Sequence, residues 1–181
     1  MRNPIESIAV FCGSRVGNNP VYAAHAIAMG QLLAKQQRKM VYGGGSIGLM
    51  GLIADEVMKG GGWVTGIIPK LLVQWEVEHR SISELIVCDD MHERKRKIYS
   101  KSDAAIILPG GFGTLDELFE IVTWNQLTIH DKEIFILNSG GFYDALLLHI
   151  EKMKKEGFLQ ESYAEKLHFI NEPASLLPYL T

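Results

Sequence analysis

Cysteine is scarce in this chain, and neither sign of charge is in large excess. Among its 181 residues there are two cysteines, Cys12 and Cys88, which we interpret as small core side chains in predicted strands. Two cysteines cannot form a disulfide framework. The formal net charge of -3 excludes a nucleic-acid-binding protein that relies on bulk basicity.

Long apolar runs and targeting signals are missing as well. No apolar segment approaches the length of a membrane span, and the first six residues lack the apolar core of a signal peptide. The sequence also has no internal repeats or low-complexity linkers. We therefore expect one nucleotide-binding Rossmann-like domain over residues 1–181, located in the cytoplasm, with neither nucleic acid nor membrane as a partner.

The sequence also lacks motifs that are typical of metal-binding and cofactor-binding sites. None of the six histidines has a spacing such as H-E-x-x-H, and there is no cysteine cluster. The sequence shows no lysine-centred site of the kind that a pyridoxal-phosphate decarboxylase requires. We therefore predict that the protein uses no metal and no cofactor.

Short apolar strands alternate with helices along the chain. Predicted strands fall at residues 7–11, 40–42, 63–68, 85–88, 104–108 and 133–137, with an edge strand at 169–170. Predicted helices fall at 22–36, 49–58, 91–101, 118–124 and 143–155, with a short final helix near 174–179. This alternation predicts an α/β fold, a doubly wound Rossmann-like parallel sheet with helices on both faces.

Glycine and proline are concentrated in turns that directly follow predicted strands. These turns contain Gly13, the triplet at residues 43–45, Pro69 and the pair Gly110-Gly111. Because parallel strands end at the same edge of a sheet, we predict a ligand site at that edge. The longest irregular stretch, residues 69–83, is a candidate lid or substrate loop.

The most informative segment is PGGFGTLDE, residues 109–117, between an apolar strand and a helical apolar pattern. A glycine-rich turn that leads into a helix presents backbone N–H groups to an anion, usually a phosphate. Its glycine spacing differs from both the dinucleotide fingerprint and the P-loop. We predict a phosphate site with a carboxylate beside it, formed by Gly110, Gly111, Gly113, Thr114 and Glu117.

Three other segments strengthen this interpretation: FCGS at residues 11–14, VYGGGSIGLMG at 41–51 and DMHERK at 90–95. Together with residues 109–117 they closely resemble the LONELY GUY family, the cytokinin riboside 5′-monophosphate phosphoribohydrolases, whose relatives often carry the older label lysine decarboxylase. The resemblance extends from about residue 8 to about residue 141, and the core motifs show no departure.

The resemblance implies an enzyme and a homodimer. Its substrate would be a purine nucleoside 5′-monophosphate, AMP or an N6-prenylated AMP, cleaved to free base and ribose 5-phosphate. The alternative is a carrier or sensor that binds nucleotides on the same fold without turnover.

Glu117 and Arg94 are the catalytic candidates. Thr114-x-x-Glu117 also matches a capping box, so a structural role in the first helical turn is an alternative for Glu117. An ionised carboxylate near C1′ would stabilise an oxocarbenium-like sugar or activate the attacking water. The resemblance implies that Arg94 is catalytically required and that Arg94 and Lys95 contact the substrate, whereas a solvated basic helix face would show the same pattern.

The remaining candidate substrate contacts have equally ordinary alternatives. Glu76 and Thr123 match substrate-contacting residues of the resembling family, although Glu76 also fits a solvated loop acid. Thr123 lies about 120° around the helix from Glu117. Gly44 and Gly45 would allow the ribose to approach closely, or would only form a tight turn. Ser14 would contact the phosphate or base, or would cap a helix.

Overall fold

The computed structural model describes residues 4–73, 78–159 and 166–180. Its strands are β1 (Ser7–Phe11), β2 (Lys39–Tyr42), β3 (Val64–Pro69), β4 (Glu84–Cys88), β5 (Ala104–Ile107), β6 (Glu133–Leu137) and β7 (Leu167–Ile170). Its helices are α1 (Pro20–Lys35), α2 (Gly48–Lys59), α3 (Lys70–Val73), α4 (Met91–Ser100), α5 (Phe112–Gln126) and α6 (Asp144–Lys155). Two 3₁₀ segments lie at Ser139–Gly141 and Pro173–Tyr179.

The seven strands form one parallel sheet in the order β4-β3-β2-β1-β5-β6-β7. Strand order reverses between β1 and β5, which makes that gap the topological switch point. Alternate residues of β1 face opposite sides: Ile8 and Val10 belong to one apolar core, and Ala9 and Phe11 to the other. The prediction of a doubly wound α/β fold is therefore confirmed.

Helices cover both faces of the sheet. Helices α1 and α2 contribute to the core on one face, for example through Met29 and Ile53. Helices α4 and α5 contribute to the core on the other face, for example through Ile98 and Leu118. No helix in the described part of the chain is both long and apolar enough to span a membrane.

Several boundaries differ from the predicted ones. Helix α1 begins at Pro20, two residues early, because the side chain of Asn19 accepts a hydrogen bond from the backbone N–H of Val21 at 3.1 Å. Helix α3 lies in the stretch predicted to be irregular. The predicted final helix is a 3₁₀ segment with Pro178 inside it, where proline removes a backbone donor.

The turns at the carboxyl edge of the sheet hold one another through backbone contacts. The N–H of Gly13 donates to the carbonyl oxygen of Pro109 at 3.0 Å, and the N–H of Leu49 donates to that of Gly13 at 3.1 Å. Gly48 has a φ of +63°, and a Cβ there would lie 2.2 Å from the carbonyl carbon of Ser14. Only glycine lets α2 start this close to the turn after β1.

We expect Gly48→Ala to destabilise the protein more than Gly61→Ala, in urea unfolding. Both residues have left-handed φ, where a side chain costs about 1–2 kcal/mol. A Cβ at Gly61 meets nothing within 4 Å, whereas the forced contact at Gly48 adds about 1–3 kcal/mol. Equal losses in the two variants would show that the turns do not pack as tightly as described.

Candidate active site

The phosphate-type turn lies at the topological switch point, where α5 begins. Gly111 is the N-cap residue of α5 and makes no side-chain cap hydrogen bond. The first N–H groups of a helix lack partners within the helix, so those of Phe112, Gly113 and Thr114 are available to an anion. A Cβ at Gly111 or Gly113 would meet nothing within 4 Å, so the space over this turn is open.

Gly110 and Thr114 form the underside of the same turn. The Thr114 side chain is buried, and a Cβ at Gly110 would lie 2.1 Å from its Oγ1. The same Cβ would lie 2.9 Å from the backbone nitrogen of Gly13. Glycine at position 110 therefore allows the turns after β1 and β5 to touch.

Glu117 occupies a different place in α5 from the predicted one. Because α5 begins at Phe112, Glu117 is its sixth residue and lies in the second turn, and the first turn holds no acidic residue. Thr114 lies inside the helix, so the capping-box alternative is wrong. The chain becomes helical directly after Gly111, and the helix dipole acts mainly on the first turn.

The carboxylate of Glu117 is electrostatically coupled to the end of β1. Burial, and secondarily the charge of Glu117, raise the pKa of the Cys12 thiol far above its usual range. Cys12 is therefore a neutral thiol at physiological pH. The coupling places the negative charge of Glu117 near the switch point, on the same helix as the phosphate-type turn.

Arg94 is a buried side chain that ties two strand ends together. Its Nε donates to the carbonyl oxygen of Ile67 at 3.1 Å, and its Nη2 donates to that of Gly43 at 2.8 Å. The residue is only 5% exposed. A Cβ at Gly43 would lie 2.1 Å from Nη2, so glycine at this position admits the guanidinium.

Gly44 and Gly45 contact the far end of the 69–83 stretch. The carbonyl oxygen of Gly44 accepts from the N–H of His79 at 2.9 Å, and Gly45 forms an isolated antiparallel bridge with Glu78. His79 is buried, and its Nε2 lies 3.1 Å from a carboxylate oxygen of Asp55. These glycines therefore fix one end of the candidate loop, and their contact with a ribose stays a prediction.

Lys95 joins α4 to α5 through carboxylates of the protein. Its Nζ lies 2.7 Å from Asp116 and 3.4 Å from Glu120, and its side chain is 12% exposed. Tyr99 donates to Glu120 at 2.8 Å. Lys95 thus forms ion pairs with two carboxylates of α5, Asp116 and Glu120, which lie on either side of Glu117 in the sequence. Substrate contact by Lys95 stays a prediction.

Two predicted contacts remain, Glu76 and Thr123. Glu76 lies outside the described residues. Thr123 is exposed and donates to the carbonyl oxygen of Phe119 at 2.7 Å. It lines a separate apolar pocket of about 330 Å³ between α5 and α6. Its position follows from the helical rotation that separates it from Glu117.

Ser14 lines a pocket of about 350 Å³ at the switch point, together with residues that the sequence analysis did not select. Arg15 follows Ser14 in the turn after β1, and the rings of Tyr22 and Phe142 meet edge to face with centroids 5.5 Å apart. The sequence could have indicated Arg15 as a site residue, because it directly follows the candidate Ser14. Phe142 lies beyond β6, and only the fold brings it here.

The described residues contain no group of three or more His, Cys, Asp or Glu side chains that could hold a metal ion. The edge presents the backbone N–H groups at the start of α5, the carboxylate of Glu117 and the guanidinium of Arg94.

We expect Arg94→Lys to lower the free energy of unfolding by about 1.5–3 kcal/mol, because an ammonium group cannot reproduce the charged hydrogen bonds of the guanidinium to two carbonyl oxygens. The exposed Arg96 of the same helix supplies the control, and Arg96→Lys should stay within about 0.5 kcal/mol. Urea unfolding measures both. Equal stabilities of the two variants would contradict the role of Arg94 in joining the ends of β2 and β3.

Comparisons with known proteins cover most of the chain. A family model described as "Possible lysine decarboxylase" matches residues 50–180. A probable cytokinin riboside 5′-monophosphate phosphoribohydrolase of Oryza sativa subsp. japonica is 50% identical over 153 residues, 84% of this chain and 69% of that protein. A cytokinin riboside 5′-monophosphate phosphoribohydrolase of Arabidopsis thaliana is 47% identical over 159 residues, 88% of this chain and 75% of that protein.

Solved structures share the fold at lower identity. A molybdenum cofactor binding protein from Rippkaea orientalis superposes with a TM-score of 0.72 at 22% identity, covering 99% of this chain and 96% of that one. A molybdenum cofactor carrier protein from Chlamydomonas reinhardtii gives 0.73 at 16% identity, with the same coverage. At such identities the likeness concerns the fold alone.

Proposed function

Because the chain belongs to the LONELY GUY family of cytokinin riboside 5′-monophosphate phosphoribohydrolases, we propose that it hydrolyses the N-glycosidic bond of a purine nucleoside 5′-monophosphate. The substrate is AMP or an N6-prenylated AMP, and the products are the free base and ribose 5-phosphate. The observation that carries the proposal is the position of Glu117 on the helix whose N-terminus forms the phosphate-type turn.

The spacing along α5 suits a ribose 5-phosphate. Glu117 lies six positions after Gly111, a rise of about 9 Å along the helix axis. A phosphate at the helix N-terminus, held by Gly110, Gly111, Gly113 and Thr114, leaves the sugar to extend towards the carboxylate. In this arrangement α5 contacts both ends of the ribose 5-phosphate: its N-terminus binds the phosphate, and Glu117 lies beside C1′.

The bond to the base breaks with its electron pair leaving on the base nitrogen. The positive charge that develops at C1′ and the ring oxygen is stabilised by the carboxylate of Glu117. Water forms the new bond to C1′, its proton passes to Glu117, and the departing base takes up a proton. Arg94 keeps the ends of β2 and β3 in place beside this reaction and adds positive potential for the nucleotide.

The proposal is tested by incubating the purified protein with AMP, isopentenyl-AMP and the two corresponding nucleosides, and measuring free base by chromatography. We expect base release from the monophosphates and not from the nucleosides. Glu117→Gln should lower kcat by about 10²-fold or more while the protein remains folded. Glu156→Gln, an exposed change of the same kind at the end of α6, should leave kcat unchanged.

Full activity of Glu117→Gln would refute the catalytic role of this carboxylate. Nucleotide binding without any base release would instead support a carrier or sensor. The shared fold of molybdenum cofactor carriers makes that outcome physically possible, because fold does not fix chemistry.

We also propose that the protein is a homodimer that pairs through α5 and α6. The pocket between these helices is lined mainly by aliphatic and aromatic side chains, and Leu148, Phe119 and Phe158 are exposed near it. Exposed apolar patches of this kind mark interaction surfaces. Such pairing would also bring Thr123, which lines the pocket, to a second copy.

Leu148→Asp should convert the dimer to a monomer in size-exclusion chromatography with light scattering, since a charge would be buried in the interface. Leu71→Asp is the matched control, because both leucines are 73% exposed and Leu71 lies on α3 beyond β3. A dimer that survives Leu148→Asp would place the interface elsewhere.

A cytoplasmic location completes the proposal. Cys12 and Cys88 are both buried and unpaired thiols, a state that reducing compartments maintain.

A further inference from the structure

The pocket of about 350 Å³ at the switch point lies between the turns that follow β1 and β5. Ser14 and Arg15 line it from the β1 side, and Gly110 and Gly111 from the β5 side. Its volume is within the range of pockets that hold small ligands. The two turns that form it are locked by the hydrogen bond from Gly13 to Pro109.

The charge of this pocket is positive. Arg15 is the single ionisable side chain with a formal charge at neutral pH among the residues that line it in the described structure, and no carboxylate lines it. In that same described part, no hydrogen bond or ion pair engages the Arg15 side chain. The N-terminus of α5, which opens beside Gly111, adds partial positive charge.

We propose that Arg15 binds the 5′-phosphate of the substrate in this pocket. A guanidinium donates parallel hydrogen bonds to phosphate oxygens, and Arg15 would form them without breaking an ion pair to any described residue. The Ser14 hydroxyl and the N–H groups at the start of α5 supply the other donors. This inference rests on the proposed function and adds the residue that selects monophosphates over nucleosides.

One wall of the pocket is apolar. The rings of Tyr22 and Phe142 meet at 80° beside the turn after β1 and give that side of the pocket an apolar surface. Phosphate contacts made next to such a wall are less screened than contacts in open solvent. Arg15 therefore meets the phosphate beside an apolar wall of the pocket.

The test measures binding separately from turnover. Calorimetry on Glu117→Gln protein compares AMP, ribose 5-phosphate and adenosine as ligands. Arg15→Ala should weaken AMP and ribose 5-phosphate about tenfold, as expected for one charged hydrogen-bonding group, and leave adenosine unchanged. Arg15→Lys should recover part of the loss. Lys39→Ala, the same charge change at the opposite edge of the sheet, should have no effect.

If Arg15→Ala weakened the binding of adenosine and AMP equally, or did not weaken the binding of AMP, the assignment of Arg15 to the phosphate would be overturned. A marked drop in the melting temperature of Arg15→Ala would also overturn it, because the residue would then be structural. Failure of the proposed function gives a different pattern. AMP would still bind in an Arg15-dependent way, while the unaltered protein would release no base.

Discussion

The contact between the turn after β1 and the turn after β5 is the constraint on which the site depends. Gly13 donates to Pro109, and neither Gly13 nor Gly110 leaves room for a side chain without crowding the other turn. This contact sets where α5 begins. It therefore fixes both the open helix N-terminus over Gly111 and the position of Glu117 in the next turn.

Charge around Glu117 is organised by α4. Arg94 and Lys95 are neighbours in the sequence and perform different tasks: Arg94 donates to carbonyl oxygens of two strand ends, and Lys95 pairs with Asp116 and Glu120 on α5. Buried cations of this kind are retained where their hydrogen bonds are satisfied. Helix α4 thereby contacts the sheet edge through Arg94 and α5 through Lys95.

The relatives and the fold carry different information about this chain. Proteins that are 47–50% identical are named as phosphoribohydrolases, whereas fold neighbours at 16–22% identity are named for molybdenum cofactor binding. The fold neighbours therefore support the architecture alone, and the names of the more similar relatives support the proposed chemistry. Under the proposed function, hydrolysis depends on Glu117, the carboxylate that follows the phosphate-type turn on α5.

The sequence by itself determined the order of the seven strands and of the helices apart from α3, the doubly wound class and the glycine-rich turn that leads into α5, since period-two and near-continuous apolar patterns report burial directly. It did not determine that α5 starts at Phe112, that Arg94 reaches Gly43, 51 residues away, or that Tyr22 and Phe142 share a pocket with Arg15. Those facts depend on which strands lie side by side, and the approach of distant backbone carbonyls leaves no local periodic signal. Only the tertiary structure decided them.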